Sequence, residues 1–227
     1  MPRSTSVHAG GGVRRSLSNM RAFLIATIAT VFLAACPRGS HTTAPEDNSG
    51  ELLPLTKGAV WTYKVKLLRY DADAGKEIAS SLTWTTEVVD VIEGPVTVYV
   101  VKGWPSDLAS FEDAPQPSES YLLRAGESML WGRSREASVE GAEGWFSEPL
   151  SDGQRICPNP GILYCWNVAD KNGRWELTFR TGPDQQTYRL RRGTGVVYYH
   201  YAHHGTLNEV TAELIDFAPG KHVTAAR

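Results

Sequence analysis

Apolar and polar residues alternate with a period of two through most of the chain beyond residue 58. In "AVWTYKVKLLRY" Trp61, Tyr63, Val65 and Leu67 fall on one face, and Thr62, Lys64 and Lys66 on the other. Such alternation marks a half-buried strand. "DADAGKE" reads as a turn, after which "SLTWTTEVVDVI" places Leu82, Trp84, Thr86 and Val88 on one side. Glu93-Gly94-Pro95 then turns the chain into "VTVYVVKGW". "SYLLRA" and "SMLWGR" follow, with Gly126 between them. "WELTFRT", "TYRLRR", "VVYYHYAHH" and "EVTAELIDF" supply the remaining strands, parted by Gly-Pro-Asp and Gly-Thr-Leu-Asn turns. Strands at this spacing, joined by tight turns, predict an antiparallel meander. Residues 133–155 predict one short helix or a long surface loop.

About nine strands cannot stay flat, because twist makes a large antiparallel sheet curl. The expected fold class is therefore all-β: a strongly curved meander, a half-barrel or open barrel, with at most one short helix. A β-sandwich is the alternative. All 7 Trp and all 9 Tyr lie beyond residue 60, so aromatics are expected to fill the concave side. Residues 54–218 are long enough for a single domain with a sizeable core, with 219–227 as a tail.

The start of the chain follows a different pattern. Arg14, Arg15 and Arg21 precede the uncharged run Ala22–Ala35. This run is shorter than the roughly 20 residues that a membrane-spanning helix needs. It has the build of a signal peptide, occupying residues 1–35, with Met20 as a second possible start. Its end, Leu33-Ala34-Ala35-Cys36, resembles the lipobox of bacterial lipoproteins. The resemblance implies that the peptide bond before Cys36 is cut and that the Cys36 thiol carries a diacylglycerol. It also implies a periplasmic, membrane-anchored protein, and Pro37 after the cysteine points to the outer membrane. The alternative is a plain secretory signal, with Cys36 left as a thiol. Residues 36–53, the lipidated cysteine and a polar segment without aromatics, read as a tether.

The first 35 residues carry 4 of the 23 Lys and Arg and none of the 25 acidic residues, leaving 19 against 25 and a net charge of −6. An acidic chain without a basic block argues against a nucleic-acid partner. In an exported chain Cys157 and Cys165, separated by "PNPGILY", are expected to close a disulfide.

"LLPLTKGAVWTYKV" resembles the start of β-rich envelope lipoproteins of unknown function. The shared pattern is Pro54-Leu55-Thr56-Lys57-Gly58 followed by Trp61 and Tyr63. A second copy stands at Pro149-Leu150-Ser151-Asp152-Gly153, and a Gly-x-Gly strand start at Gly193-Thr194-Gly195. The resemblance implies an all-β envelope fold and no established catalytic residues.

Candidate chemistry is sparse. His200, His203 and His204 gather near Glu209 and Glu213 across a predicted hairpin. His200 and His204 would share a face but lie roughly 13 Å apart, too far to hold one ion. His203 is the residue expected to face Glu209, and two ligands make a poor zinc site. The expectation is a solvated rim with no metal. Asp71–Gly75 has the first half of a calcium loop without the closing glutamate, and reads as a turn. Glu140, Glu143 and Glu148 form an acidic run that could hold paired carboxylates. No nucleophile-elbow or phosphate-loop motif is present, and Gly193-x-Gly195 opens a strand, not the helix of a dinucleotide site. No cofactor is expected. The function expected is non-catalytic: an outer-membrane-anchored lipoprotein, on the periplasmic side, that binds a hydrophobic small molecule or an envelope protein. A lipid-anchored hydrolase is the alternative.

Overall fold

The computed structural model describes residues 50–71, 73–109, 115–158, 163–204 and 208–220. These residues form one sheet of twelve antiparallel strands in a nearly closed barrel. The first half comprises β1 (Val60–Asp71), β2 (Lys76–Ile92), β3 (Thr97–Lys102), β4 (Glu119–Ala125), β5 (Ser128–Gly132) and β6 (Glu143–Ser147). The second comprises β7 (Arg155–Ile156), β8 (Trp166–Asp170), β9 (Trp175–Arg180), β10 (Asp184–Arg191), β11 (Gly195–His203) and β12 (Asn208–Ala218).

The spatial order is β6-β5-β4-β3-β2-β1-β12-β11-β10-β9-β8-β7. Each half is thus an unbroken meander, and the halves join through the first and last strands. The β1–β12 ladder runs from Val60 opposite Ala218 to Arg69 opposite Asn208. Bulges at Thr62/Tyr63, Val88/Asp90, Met129/Leu130 and Arg189/Leu190 bend the strands. An extra residue on one strand raises the local twist, which helps a sheet curl round. The terminal strands of the sheet, β6 and β7, come near each other.

The two Pro-Leu-x-x-Gly segments adopt one arrangement. In the first, Ala59 N donates to Thr56 O (2.9 Å), Gly58 N to Val88 O (2.8 Å), and Val88 N to Ala59 O (3.0 Å). In the second, Gln154 N donates to Ser151 O (3.1 Å), Gly153 N to Val168 O (3.0 Å), and Val168 N to Gln154 O (2.9 Å). Gly58 and Gly153 both have left-handed backbones, at φ 80° and 76°, where a side chain would be strained. Leu55 and Leu150 are both buried. Each motif starts a six-stranded half, so the barrel is built from two matching halves. They differ most in their first hairpin. The β1–β2 hairpin is an arm of long strands, whereas its counterpart β7–β8 is short and Cys157 is bonded to Cys165 beside it.

A barrel of about eight strands is filled by its own side chains, and a wider one needs more. Here two inserted segments complete the filling. At one end Leu52, Leu53 and Leu55 are buried under the barrel rim. Arg124 holds this segment through Glu51 (2.6 Å) and Leu53 O (3.0 Å), and Arg192 holds it through Gly50 O (3.1 Å). Leu52 and Leu53 thus belong to the core, although the sequence pattern leaves them in the tether. At the other end the β3–β4 connection inserts Trp104 and the short 3-10 helix Pro105–Ala109, which reaches β11 and β12.

The strand count exceeds the expected nine by the short strands β6, β7 and β8. The segment 133–155 holds a single 3-10 turn (Val139–Gly141), then β6 and the start of β7, in place of a helix or long loop.

Candidate functional site

A binding site inside the barrel would need free volume, and aromatic rings occupy that space. Trp104 lies 5.6 Å, centroid to centroid, from both Trp131 and Trp145. Trp145 is 5.3 Å from Tyr188, and Tyr188 is 4.9 Å from Tyr199. Trp104, Trp145, Tyr188 and Tyr199 are each at most 1% exposed. Three interior polar groups bond to the backbone. Tyr63 Oη donates to Val196 O (2.9 Å) and Trp84 Nε1 to Gly103 O (2.7 Å), while Trp61 Nε1 donates to Thr194 O. Burial pushes the Tyr63, Tyr188 and Tyr199 hydroxyls well above the usual phenol range, so all three stay protonated. The concave side is thus a packed core.

The outer wall is polar. Across neighbouring strands Glu176, Arg189, Tyr198, Glu213 and Lys64 stand in one row. Arg189 Nε donates to Glu176 (2.8 Å), and its guanidinium lies 4.3 Å from the Tyr198 ring centroid. Cross-strand pairs of opposite charge stabilise a sheet by roughly 0.2–1 kcal/mol each. A charged wall around an apolar interior is the reverse of a membrane-spanning barrel, whose apolar band faces outward.

The histidines separate. His200 Nε2 is 3.1 Å from Glu209 Oε1, so His200, not His203, meets Glu209. The reason is register: Glu209 stands opposite Ala202, one diagonal step from His200 on the same face. His203 points to the other side, where its Nδ1 is 2.7 Å from Asp184 Oδ1. Tyr201 Oη donates to the same oxygen (2.8 Å). The His203 ring and the Tyr201 hydroxyl hold the Asp184 carboxyl below the usual carboxylate range. Burial, then Asp184, push the Tyr201 hydroxyl up to about 12. His204 is exposed, and Glu213 lies in the row beside Lys64 and Tyr198. Among the described residues no three His, Cys, Asp or Glu side chains converge as a metal set.

Glu143 and Glu148 bracket β6 and face different partners, Arg133 (3.7 Å) and Arg192 (2.7 Å). Glu140 is on the exposed 3-10 turn, so the acidic run does not converge. Asp71 closes its hairpin by accepting from Asp73 N (3.0 Å) and Ala74 N (2.9 Å). Cys36 lies outside the described residues.

What remains distinctive is the β1–β2 arm. Residues Lys76–Ser81 of β2 are exposed throughout, on both faces. The β2–β3 ladder begins only at Glu87 opposite Lys102, whereas the β2–β1 ladder extends to Lys76 opposite Asp71. Tyr70 and Ile78 on the arm, and Ile215 beside it, are exposed apolar residues.

These features define a class: an antiparallel β-barrel of two matching halves, with a filled apolar interior, a charged wall and one projecting hairpin. No protein-family model and no curated protein matches the chain. Two solved structures are distantly similar. One is a protein described as exported, with a YmcC-like fold, from Bacteroides fragilis, at 9% identity and a TM-score of 0.38 over 73% of this chain and 98% of that one. The other is a protein described as a lipoprotein from Parabacteroides distasonis, at 10% identity and a TM-score of 0.34 over 74% of this chain and 99% of that one. At these values neither carries a function across.

Proposed function

We propose that this protein is a lipid-anchored lipoprotein of the bacterial envelope whose barrel is a rigid, non-catalytic module for contact with another envelope protein. The observation that carries the choice between partner and hydrophobic ligand is the aromatic packing inside the barrel. A carrier needs a pocket of some hundreds of Å³ that covers most of its ligand, and the space between the strands is taken by Trp104, Trp145, Tyr188 and Tyr199. The lipobox ending at Cys36 supports the anchor, and Pro37 supports the periplasmic side of the outer membrane. Several acyl chains on one cysteine hold a protein firmly, at about 0.8 kcal/mol per buried methylene.

Native mass spectrometry of the protein extracted from membranes tests both parts. The expected mass is that of a chain beginning at Cys36 with covalent acyl groups, and with no further apolar molecule at one-to-one stoichiometry. A lipid that stays bound in that ratio after detergent exchange would restore the carrier. A chain with a free Cys36 thiol would remove the anchor.

A further inference from the structure

We propose that the open edge of β2 between Glu77 and Thr83 is a docking site for an extended segment of a partner protein, which adds to the sheet as a thirteenth strand. The inference rests on reading the domain as an interaction module and names where and how it makes contact.

The backbone directions follow from two contacts. Val88 N donates to Ala59 O on the β1 side (3.0 Å). On the opposite side, the Thr85 carbonyl oxygen lies against Gly103, only 2.4 Å from where a Cβ would stand. Backbone groups alternate in direction along a strand, so those of Glu77, Ala79, Ser81 and Thr83 turn away from β1, as Thr85's carbonyl does. Among the described residues no strand pairs with them on that side. Sheet edges are ordinarily blunted by proline, bulges or inward charges. From Ile78 to Thr83 this edge has none: the sequence is Ile-Ala-Ser-Ser-Leu-Thr, and its ladder to β1 is regular.

The same residues shape the outer face. Ala79, Ser81 and Thr83 are small, and behind them lie two adjoining grooves. One, of about 420 Å³, is lined by Lys66, Leu68, Ala79, Ser81, Glu209 and Thr211. The other, of about 310 Å³, is lined by Lys64, Ser81, Leu82, Thr83 and the 60% exposed Ile215. They meet at Ser81, two-residue steps along the strand. Residues i and i+2 of an added strand project to one face about 7 Å apart. Long apolar side chains at those positions would lie over Ala79, Ser81 and Thr83 toward Leu68 and Ile215. Main-chain pairing would supply affinity and the two grooves selectivity, the division of labour in strand addition. A second copy of this chain fits less well, because its own side chains at these positions are also Ala79, Ser81 and Thr83 and cannot fill the grooves.

The probe is a fluorescent nine-residue peptide alternating Thr with Phe or Leu and ending in Glu, to suit Lys64 and Lys66. Binding is read by anisotropy, and its location by hydrogen exchange on the intact protein. We expect protection confined to Glu77, Ala79, Ser81 and Thr83, and at least a tenfold loss of affinity when alternate peptide amides are methylated. Ser81→Pro removes one outward N–H and should abolish binding. Ser81→Arg keeps the backbone, fills the junction of the grooves, and should weaken binding at least tenfold with thermal stability unchanged. Wild-type affinity in both variants, protection elsewhere, or no binding by the wild type up to about 1 mM would overturn the proposal. So would a wild-type dimer in sedimentation that Ser81→Pro makes monomeric, which would assign the edge to self-association. A lipid held inside the barrel would defeat the module reading without altering these readouts.

Discussion

Replacing Trp104 by alanine is the sharpest test of a filled barrel. The indole is 1% exposed and touches Trp131, Trp145 and Tyr188, with centroids at 5.6, 5.6 and 6.3 Å. An aromatic side chain of this size buries about 150–250 Å². At about 25 cal/mol per Å² that amounts to roughly 4–6 kcal/mol, an upper bound because the unfolded chain is itself partly compact. Each edge-on ring contact adds about 0.5–1.5 kcal/mol. Relaxation of the 3-10 helix into the space recovers some of the loss. The expected cost is about 3–5 kcal/mol, the usual range for a buried Trp→Ala change. With a urea slope of about 2 kcal/mol per M, the midpoint should fall by about 1.5–2.5 M. Trp104→Phe, which keeps a ring, should lose less than half as much. The assay is equilibrium urea unfolding followed by far-ultraviolet circular dichroism. A loss under about 1 kcal/mol would show that the inserted segment does not pack as described. The barrel would then have accessible space, as a carrier needs.

Gly103→Ala should destabilise by about 2 kcal/mol or more, since φ is 71° and a Cβ would meet the Thr85 carbonyl oxygen at 2.4 Å; Gly126→Ala, with φ 59° and open space around it, should cost less in the same melts. Reducing the Cys157–Cys165 bond, or replacing both by serine, should lower stability by about 2–3 kcal/mol, the loop-closure term for so short a loop. Chemical denaturation with and without reductant measures it. Asp184 has a depressed folded pKa, so its pairing with His203 and Tyr201 stabilises fully above the ordinary carboxyl pKa and fades as pH falls through the lower folded value. Asp184→Asn should therefore flatten the acid limb of the stability profile below about pH 4, while an unchanged limb would show that the cluster contributes nothing.

The alternation of Trp61, Tyr63, Val65 and Leu67 against Thr62, Lys64 and Lys66 was sufficient to identify an antiparallel all-β chain, because each side chain's face in a strand is a local property of period two. The same alternation in β2 identified Trp84, Thr86 and Val88 as interior. The repeated Pro-Leu-x-x-Gly was legible as well, since its left-handed glycine and its turn are set by residues adjacent in sequence. Partnership of successive strands was legible from the tight turns that join them, but the closure of the sheet was not, because it pairs strands far apart in sequence. The pairing of β1 with β12 and the filling of the lumen by Trp104 and Leu53 were therefore decided by the tertiary structure. So was the partner of each histidine: a diagonal offset brings Glu209 to His200, and Asp184, distant in sequence, meets His203. The arm escaped the pattern for a related reason. Lys76–Ser80 are exposed on both faces and carry no burial alternation, so Lys76 and Glu77 read as part of a turn and Ile78–Ser80 as neither turn nor strand. Only their ladder to β1 makes them a strand, and only the late start of the β3 ladder leaves their other edge open.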